Sequence, residues 1–275
     1  MTPQQTALFT DLDGTLFNSE GKVSAENRAA IDEYIAAGGM FAIATGREPR
    51  NALGFLGQLP TSAPSIVLNG SSVYDFSTGT YGAGWHLDRA KLDPILRRLQ
   101  TAVPNLDLQL YTKRGILYCT PEALAQPQML RLHRPCIFTE LDAVGEEDVF
   151  KCVLFAPPEQ EAAMAEILRQ AEGDAYRHVL GTTDVGGKIT YHELLPTDAS
   201  KGTALRSLRS HPMLAGRTFF AAGDYWNDYE LLREADIAVA PANAIDEIKA
   251  ICAYTVVSNN DHAIRHILRE LMPRL

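Results

Sequence analysis

Apolar and polar positions follow two different grammars along this chain. In the first eighty residues, short continuous apolar runs are separated by amphipathic stretches. Residues 7–13 (ALFTDLD) and 40–45 (MFAIAT) read as buried strands, and 65–68 (SIVL) as a third that ends at Asn69-Gly70. Ser24 is a good N-cap, and Ile31, Tyr34 and Ile35 mark one face of a helix that stops at Gly38-Gly39. A second helix is expected around residues 50–59. Buried strands alternating with helices predict a parallel sheet covered on both faces.

The tail repeats this grammar. Helical patterns at 201–208, 228–235, 245–252 and 262–271 alternate with apolar strands at 217–222 (RTFFAA), 237–240 and 254–257. The middle reads differently. Residues 76–82 are turn-rich, and Asp88 opens a helix with Leu92, Ile95, Leu96, Leu99 and Val103 on one face. Residues 106–111 and 116–119 form a hairpin across Lys113-Arg114-Gly115, 149–155 is a strand, 157–171 a helix, and 176–180 and 189–194 are strands. The fold class is therefore α/β: a doubly wound, Rossmann-like parallel-sheet core (1–82 and 189–275) with an inserted α+β cap domain (83–188).

Composition narrows the function classes. The chain has 275 residues, 46% hydrophobic and 21% charged, as in an ordinary globular protein. A formal charge of −9 without any basic run argues against a nucleic-acid partner, but not against a small phosphorylated one held in a locally positive site. Cys119, Cys136, Cys152 and Cys252 form no CxxC pair and read as free thiols. With no basic leader and no run of about 18 apolar residues, the expectation is a cytoplasmic protein without a membrane segment, as a monomer or small homo-oligomer.

The densest chemical signal lies at the end of the first strand, Asp11-Leu12-Asp13-Gly14. In an open α/β sheet, ligands bind at that edge. Two carboxylates two positions apart on extended chain point to the same side, and their repulsion calls for a cation or a retained proton. One can then act as nucleophile while the other transfers protons. The same pattern also serves as a polar turn closing a strand. Thr45-Gly46 follows the second strand and offers a hydroxyl to a phosphate, although Thr-Gly is also a common strand exit. Lys201 begins a helix, against the helix dipole, which a bound anion would explain and a solvated surface would also permit. After RTFFAA, Asp224 and Asp228 flank a loop entering a helix, placed to add oxygen ligands for a hard cation such as Mg²⁺. Asp228 also suits a helix N-cap, and Trp226 is expected to pack against a neighbour.

Taken together, DLDGTLF (11–17), IATGRE (43–48), ASKG (199–202) and GDYWNDYELL (223–232) resemble the haloacid-dehalogenase-like (HAD) hydrolase superfamily, and the whole chain is similar to its Cof-type phosphatases with a large α/β cap. LNGSSVYD (68–75) and VAPANA (239–244) add to the likeness. The resemblance implies that Asp11 is the nucleophile and Asp13 the general acid/base, whose backbone carbonyl also touches the metal. It implies that Thr45, with Gly46, and Lys201 position phosphate, and that Asp11, Asp13, Asp224 and Asp228 hold Mg²⁺. Asn69 and Asn227 match polar positions near the phosphate. Tyr225 and Trp226 are bulkier than is usual in that loop, and Pro241 stands where Gly or Met is frequent; both bear on pocket shape, not chemistry.

The implied activity is Mg²⁺-dependent phosphatase action on a small phosphorylated metabolite, with sugar phosphates as the default class, through an aspartyl phosphate. A phosphomutase of the phosphomannomutase type shares these motifs, and a non-catalytic phosphometabolite-binding protein would keep the fold. Substrate discrimination is expected from the cap, where His178, Lys188 and Arg114 are candidate contacts or simply solvated surface.

Overall fold

The computed structural model describes residues 1–56, 60–121, 137–183 and 189–275. The chain divides into two compact units, Met1–Ala83 with Ala199–Leu275, and Gly84–Asp198.

The first unit is built on a five-stranded parallel sheet. Strands β1 (Thr6–Thr10), β2 (Met40–Ile43), β12 (Thr218–Ala222), β13 (Ile237–Pro241) and β14 (Tyr254–Val256) lie in the order β14-β13-β12-β1-β2. Thr10 pairs in register with Ala222 on one side and Ile43 on the other. The chain winds outward from β1 in one direction before the second unit and in the other after it, so the switch point lies beside β1. These strands read as unbroken apolar runs because both faces are covered. Leu8, Phe41, Ile43, Phe220 and Val239 pack with Ile31 from the helix Ala25–Ala36 and with Ile264, Ile267 and Leu268 from the C-terminal segment. Each such side chain, fully buried, contributes about 1.5–3 kcal/mol.

Strand β3 (Ser65–Val67) joins this sheet only through a parallel bridge from Ile66 to Ala44. It pairs fully with β4 (Ser72–Asp75), and β5 (Thr80–Gly84) completes a separate three-stranded sheet. The turn-rich stretch after residue 75 is thus the tip of a hairpin, which its serines and threonines concealed.

The second unit is a mostly antiparallel sheet, with one parallel pair at its edge and helices on one face. Strands β6 (Asp107–Thr112), β7 (Gly115–Tyr118), β8 (Ile137–Phe138), β9 (Val149–Phe155), β10 (Arg177–Thr183) and β11 (Ile189–Leu195) run in the order β10-β11-β9-β6-β7-β8. Leu92, Leu96 and Leu99 of the helix Arg89–Ala102 and Met164, Ile167 and Leu168 of Glu161–Arg169 cover Leu108, Leu110, Cys152, Leu154 and Leu194. The sequence pattern returns to the core at residue 189, but β11 pairs antiparallel with β10 and β9 and belongs to this unit's sheet. A single strand's periodicity does not reveal which sheet supplies its partners.

Candidate active site

Three strand ends of the parallel sheet converge on one point. The Asp11 amide donates to Ala222 O at 2.9 Å, and the Ala44 amide to Thr10 O at 2.8 Å, which fixes Asp11 between the exits of β12 and β2. The chain then turns sharply through Asp13 and Gly14, with Gly14 at φ 80°. A Cβ at Gly14 would collide with the Asp224 carboxylate, so glycine is required by both dihedral and space. The Thr15 hydroxyl donates to Asp224 Oδ1 at 2.7 Å, and Asn243 Nδ2 to the Gly14 carbonyl at 2.7 Å.

Lys201 opens the helix Lys201–Leu208, whose N-cap Ser200 accepts from the Thr203 amide. It is fully buried, and its Nζ donates to Asp11 Oδ1 at 2.6 Å and Asp228 Oδ1 at 2.5 Å. Asp228 uses its other oxygen to accept the amides of Asp224, at 3.0 Å, and Tyr225, at 3.4 Å. It therefore orders its own loop while facing the lysine. Oxygens of Asp11, Asp224 and Asp228 lie within 4.8 Å of one another.

The charges in this cluster do not balance. Burial, and then Asp228, push the Asp11 carboxyl well above the usual carboxylate range although Lys201 opposes the shift. Burial pushes Asp224 up to about 6, with the Thr15 hydrogen bond opposing and Asp228 adding. Burial works against the Lys201 charge, but Asp11 and Asp228 outweigh it and hold the ammonium charged. Three carboxylates around one lysine, all oxygen donors, could hold a hard divalent cation.

The remaining predicted residues fall into two places. Thr45 is buried, with its carbonyl accepting from the Asn69 amide at 3.0 Å and its hydroxyl from the Arg47 amide at 3.2 Å. Asn69 Oδ1 accepts from Asn227 Nδ2 at 3.4 Å, and a Cβ on Gly46 would lie 2.8 Å from that same oxygen, so Gly46, Asn69 and Asn227 form one polar corner. Leu68, Asn69 and Gly70 are consecutively left-handed, at φ 55°, 56° and 92°. Gly70 passes so close to the Ser200 carbonyl that a side chain there would collide with it, and this approach brings the corner against the start of the lysine helix.

Asp13 stands apart. Its carboxylate is outside the acidic group and takes a two-point ion pair from Arg47, with Nη2–Oδ1 at 2.7 Å and Nε–Oδ2 at 3.0 Å. Sequence reading passed over Arg47, although it stands inside IATGRE; the signal was a guanidinium one residue beyond a predicted phosphate-contacting pair. Asn243 and Thr15 were also missed, since their hydrogen bonds join segments more than 200 residues apart.

The candidate contacts of the inserted unit are differently placed. Arg114 pairs with Glu147, and His178 Nε2 meets His192 Nδ1 at 2.8 Å. Lys188 lies outside the described residues. Trp226, expected to be packed, is half exposed, because its turn points Asp228 inward and leaves the indole outside.

The chain is similar to known proteins over nearly its whole length. Residues 8–268 match the haloacid dehalogenase-like hydrolases. The chain is 27% identical to a 5-amino-6-(5-phospho-D-ribitylamino)uracil phosphatase of Bacillus subtilis, covering 95% of this chain and 96% of that one. It is 26% identical to an HMP-PP phosphatase of Yersinia enterocolitica, over 87% and 84% of the two chains. A crystal structure from Thermotoga maritima superposes with a TM-score of 0.78 at 23% identity, over 98% and 97% of the chains.

Proposed function

The chain belongs to the haloacid dehalogenase-like hydrolases as a phosphatase of the Cof type, and we propose that it cleaves small sugar-phosphate esters through a covalent phosphate on Asp11, with Mg²⁺ as its metal. The observation that carries this reading is the buried Lys201 ammonium shared between Asp11 and Asp228 beside Asp224. Such a cluster is costly in a resting protein and useful only where more charge arrives.

On this reading Asp11, Asp224 and Asp228, with the Asp13 carbonyl, hold Mg²⁺, which when bound neutralises charge on the phosphate oxygens. Lys201 keeps the Asp11 oxygen oriented and offsets the repulsion between its carboxylate and the incoming dianion. Thr45, Gly46, Asn69 and Asn227 provide the polar corner that receives the other phosphate oxygens. The Asp11 carboxylate attacks phosphorus, the ester P–O bond breaks, and the leaving alkoxide takes a proton from Asp13. Asp13 then removes a proton from water, whose oxygen attacks phosphorus and returns free phosphate and the Asp11 carboxylate. To do this Asp13 must leave Arg47, which pairs with it and turns it aside in the resting structure, and take up the proton that it then gives to the alkoxide.

Acid quenching of enzyme mixed with ³²P-labelled substrate tests the reading directly. Wild-type protein is expected to carry acid-stable label at Asp11, and Asp11→Asn to carry none, to release no phosphate and to keep the native circular dichroism spectrum. Turnover by that variant, or full activity in excess EDTA, overturns the proposal.

A further inference from the structure

The loop that brings Asp224 and Asp228 to the site also carries three aromatic side chains that the fold leaves uncovered. Tyr225, Trp226 and Tyr229 are 56%, 52% and 36% exposed, three of the five large aromatics so exposed among the described residues. Burying such rings would be favourable, so their presence on a turn that polar residues could form equally well calls for a use.

The turn Trp226–Asp228 has three residues per turn and hence three faces. Asp228 faces Lys201, Asn227 faces Asn69, and Trp226 takes the third face. Tyr229, three residues on, brings its ring to 6.3 Å from the indole at a tilt of 37°. The two rings stand side by side as a shallow wall, not closed on each other. Tyr225, also exposed, follows directly after Asp224 on extended backbone at φ −135°. No lysine or arginine lies between Gly223 and Leu232, whereas Glu230 does. Glu230 and Arg233, the latter one helical turn beyond Tyr229, carry opposite charges, so the rings offer a stacking surface without a strong preference for either sign.

We propose that Tyr225, Trp226 and Tyr229 form a stacking platform for a planar heteroaromatic ring on the substrate, so that the preferred esters are sugar or polyol phosphates bearing such a ring. The inference rests on the phosphatase reading for where the phosphate lies, and on the aromatic wall for the ring. Stacking a base on an aromatic side chain is worth about 5- to 150-fold in affinity, and the open rings need little ordering to receive it. The tyrosine hydroxyls leave polar edges for ring carbonyl or amino groups.

Matched ester pairs isolate the ring: uridine 5′-monophosphate against ribose 5-phosphate, and riboflavin 5′-phosphate against ribitol 5-phosphate. The wild-type kcat/KM ratio is expected to favour the ring-bearing member of at least one pair by about tenfold or more. Trp226→Ala should lower that ratio several-fold, and Trp226→Phe should retain most of it. A wild-type ratio of one in both pairs, or a uniform loss in Trp226→Ala that leaves the ratio intact, overturns the platform. Binding is read separately in Asp11→Asn protein carrying Trp85→Phe, where Trp226 is the remaining tryptophan. Saturable quenching by uridine 5′-monophosphate or riboflavin 5′-phosphate, beyond the inner-filter effect and absent with the ring-free esters, supports the platform. If quenching occurs but wild type hydrolyses none of the four esters, the hydrolytic reading falls and the platform stands; absence of quenching overturns the platform whether or not they are hydrolysed.

Discussion

The two units treat buried charge in opposite ways. In the parallel-sheet unit, Asp11, Asp224 and Asp228 crowd around one lysine, and two of the three carboxyls are pushed upward by burial and by each other. In the inserted unit, Lys151 meets Glu193 at 2.6 Å and lies over the Tyr111 ring at 4.9 Å, while His192 sits between His178 and Glu161. There the buried Lys151 and Glu193 are matched one to one within the sheet. The difference follows from topology. A parallel sheet delivers several strand ends to one edge, where loops can aim like charges at one another. An antiparallel ladder sets residues opposite each other in pairs, which favours one-to-one matching. The first arrangement stores unfavourable interactions that a bound ligand can relieve, and the second spends its charges on holding a sheet together.

Removing the lysine of each unit breaks this comparison most severely. Lys201→Met leaves two carboxylates buried without their cation, and should cost about 3–5 kcal/mol in metal-free protein as well as about a hundredfold or more in turnover. Urea unfolding with and without Mg²⁺ should show the metal restoring part of the stability while phosphate release stays low. Lys151→Met is expected to cost about 3 kcal/mol with no recovery on adding Mg²⁺, and the double variant Lys151→Met/Glu193→Leu to recover most of that loss. Equal metal rescue in both units would contradict the distinction between them.

How much of this was legible in the sequence divides along the same line. Asp11, Lys201, Asp224 and Asp228 each stand at a strand end or helix start that local patterning locates, and parallel topology then brings such positions together without further information. The core strands were readable because burial on both faces leaves unbroken apolar runs. The pairing of Asp13 with Arg47 was not readable, since it depends on a turn through left-handed Gly14 and on rotamers that sequence spacing does not set. The hairpin of β4 and β5 was hidden by polar residues on a partly solvated sheet, where alternation is weak. The place of β11 depended on its neighbours in space, and Trp226 was misjudged because the orientation of a three-residue turn decides between burial and exposure.

The smallest expected effect concerns His178, and it tests whether the inserted unit's pairing is as closed as it looks. Burial first, and then His192, hold the His178 imidazole below its ordinary value of 6.5, with Glu172 and Glu161 opposing. A consistent assignment has His178 Nε2–H donating to His192 Nδ1, and His192 Nε2–H to the Glu161 carboxylate. Below pH 6.5 the unfolded chain takes up a proton that folded His178 resists, so the unfolded state binds more protons and stability falls with acidification. The stability contributed by neutral His178 is present above the unfolded value and lost progressively beneath it. His178→Gln keeps a donor toward His192 and cannot titrate. Its urea midpoint at pH 8 should therefore stay close to wild type, while the fall in midpoint between pH 7 and pH 5.5 becomes shallower. If both proteins lose stability in parallel over that interval, the acid sensitivity lies elsewhere and the histidine pair is only packing.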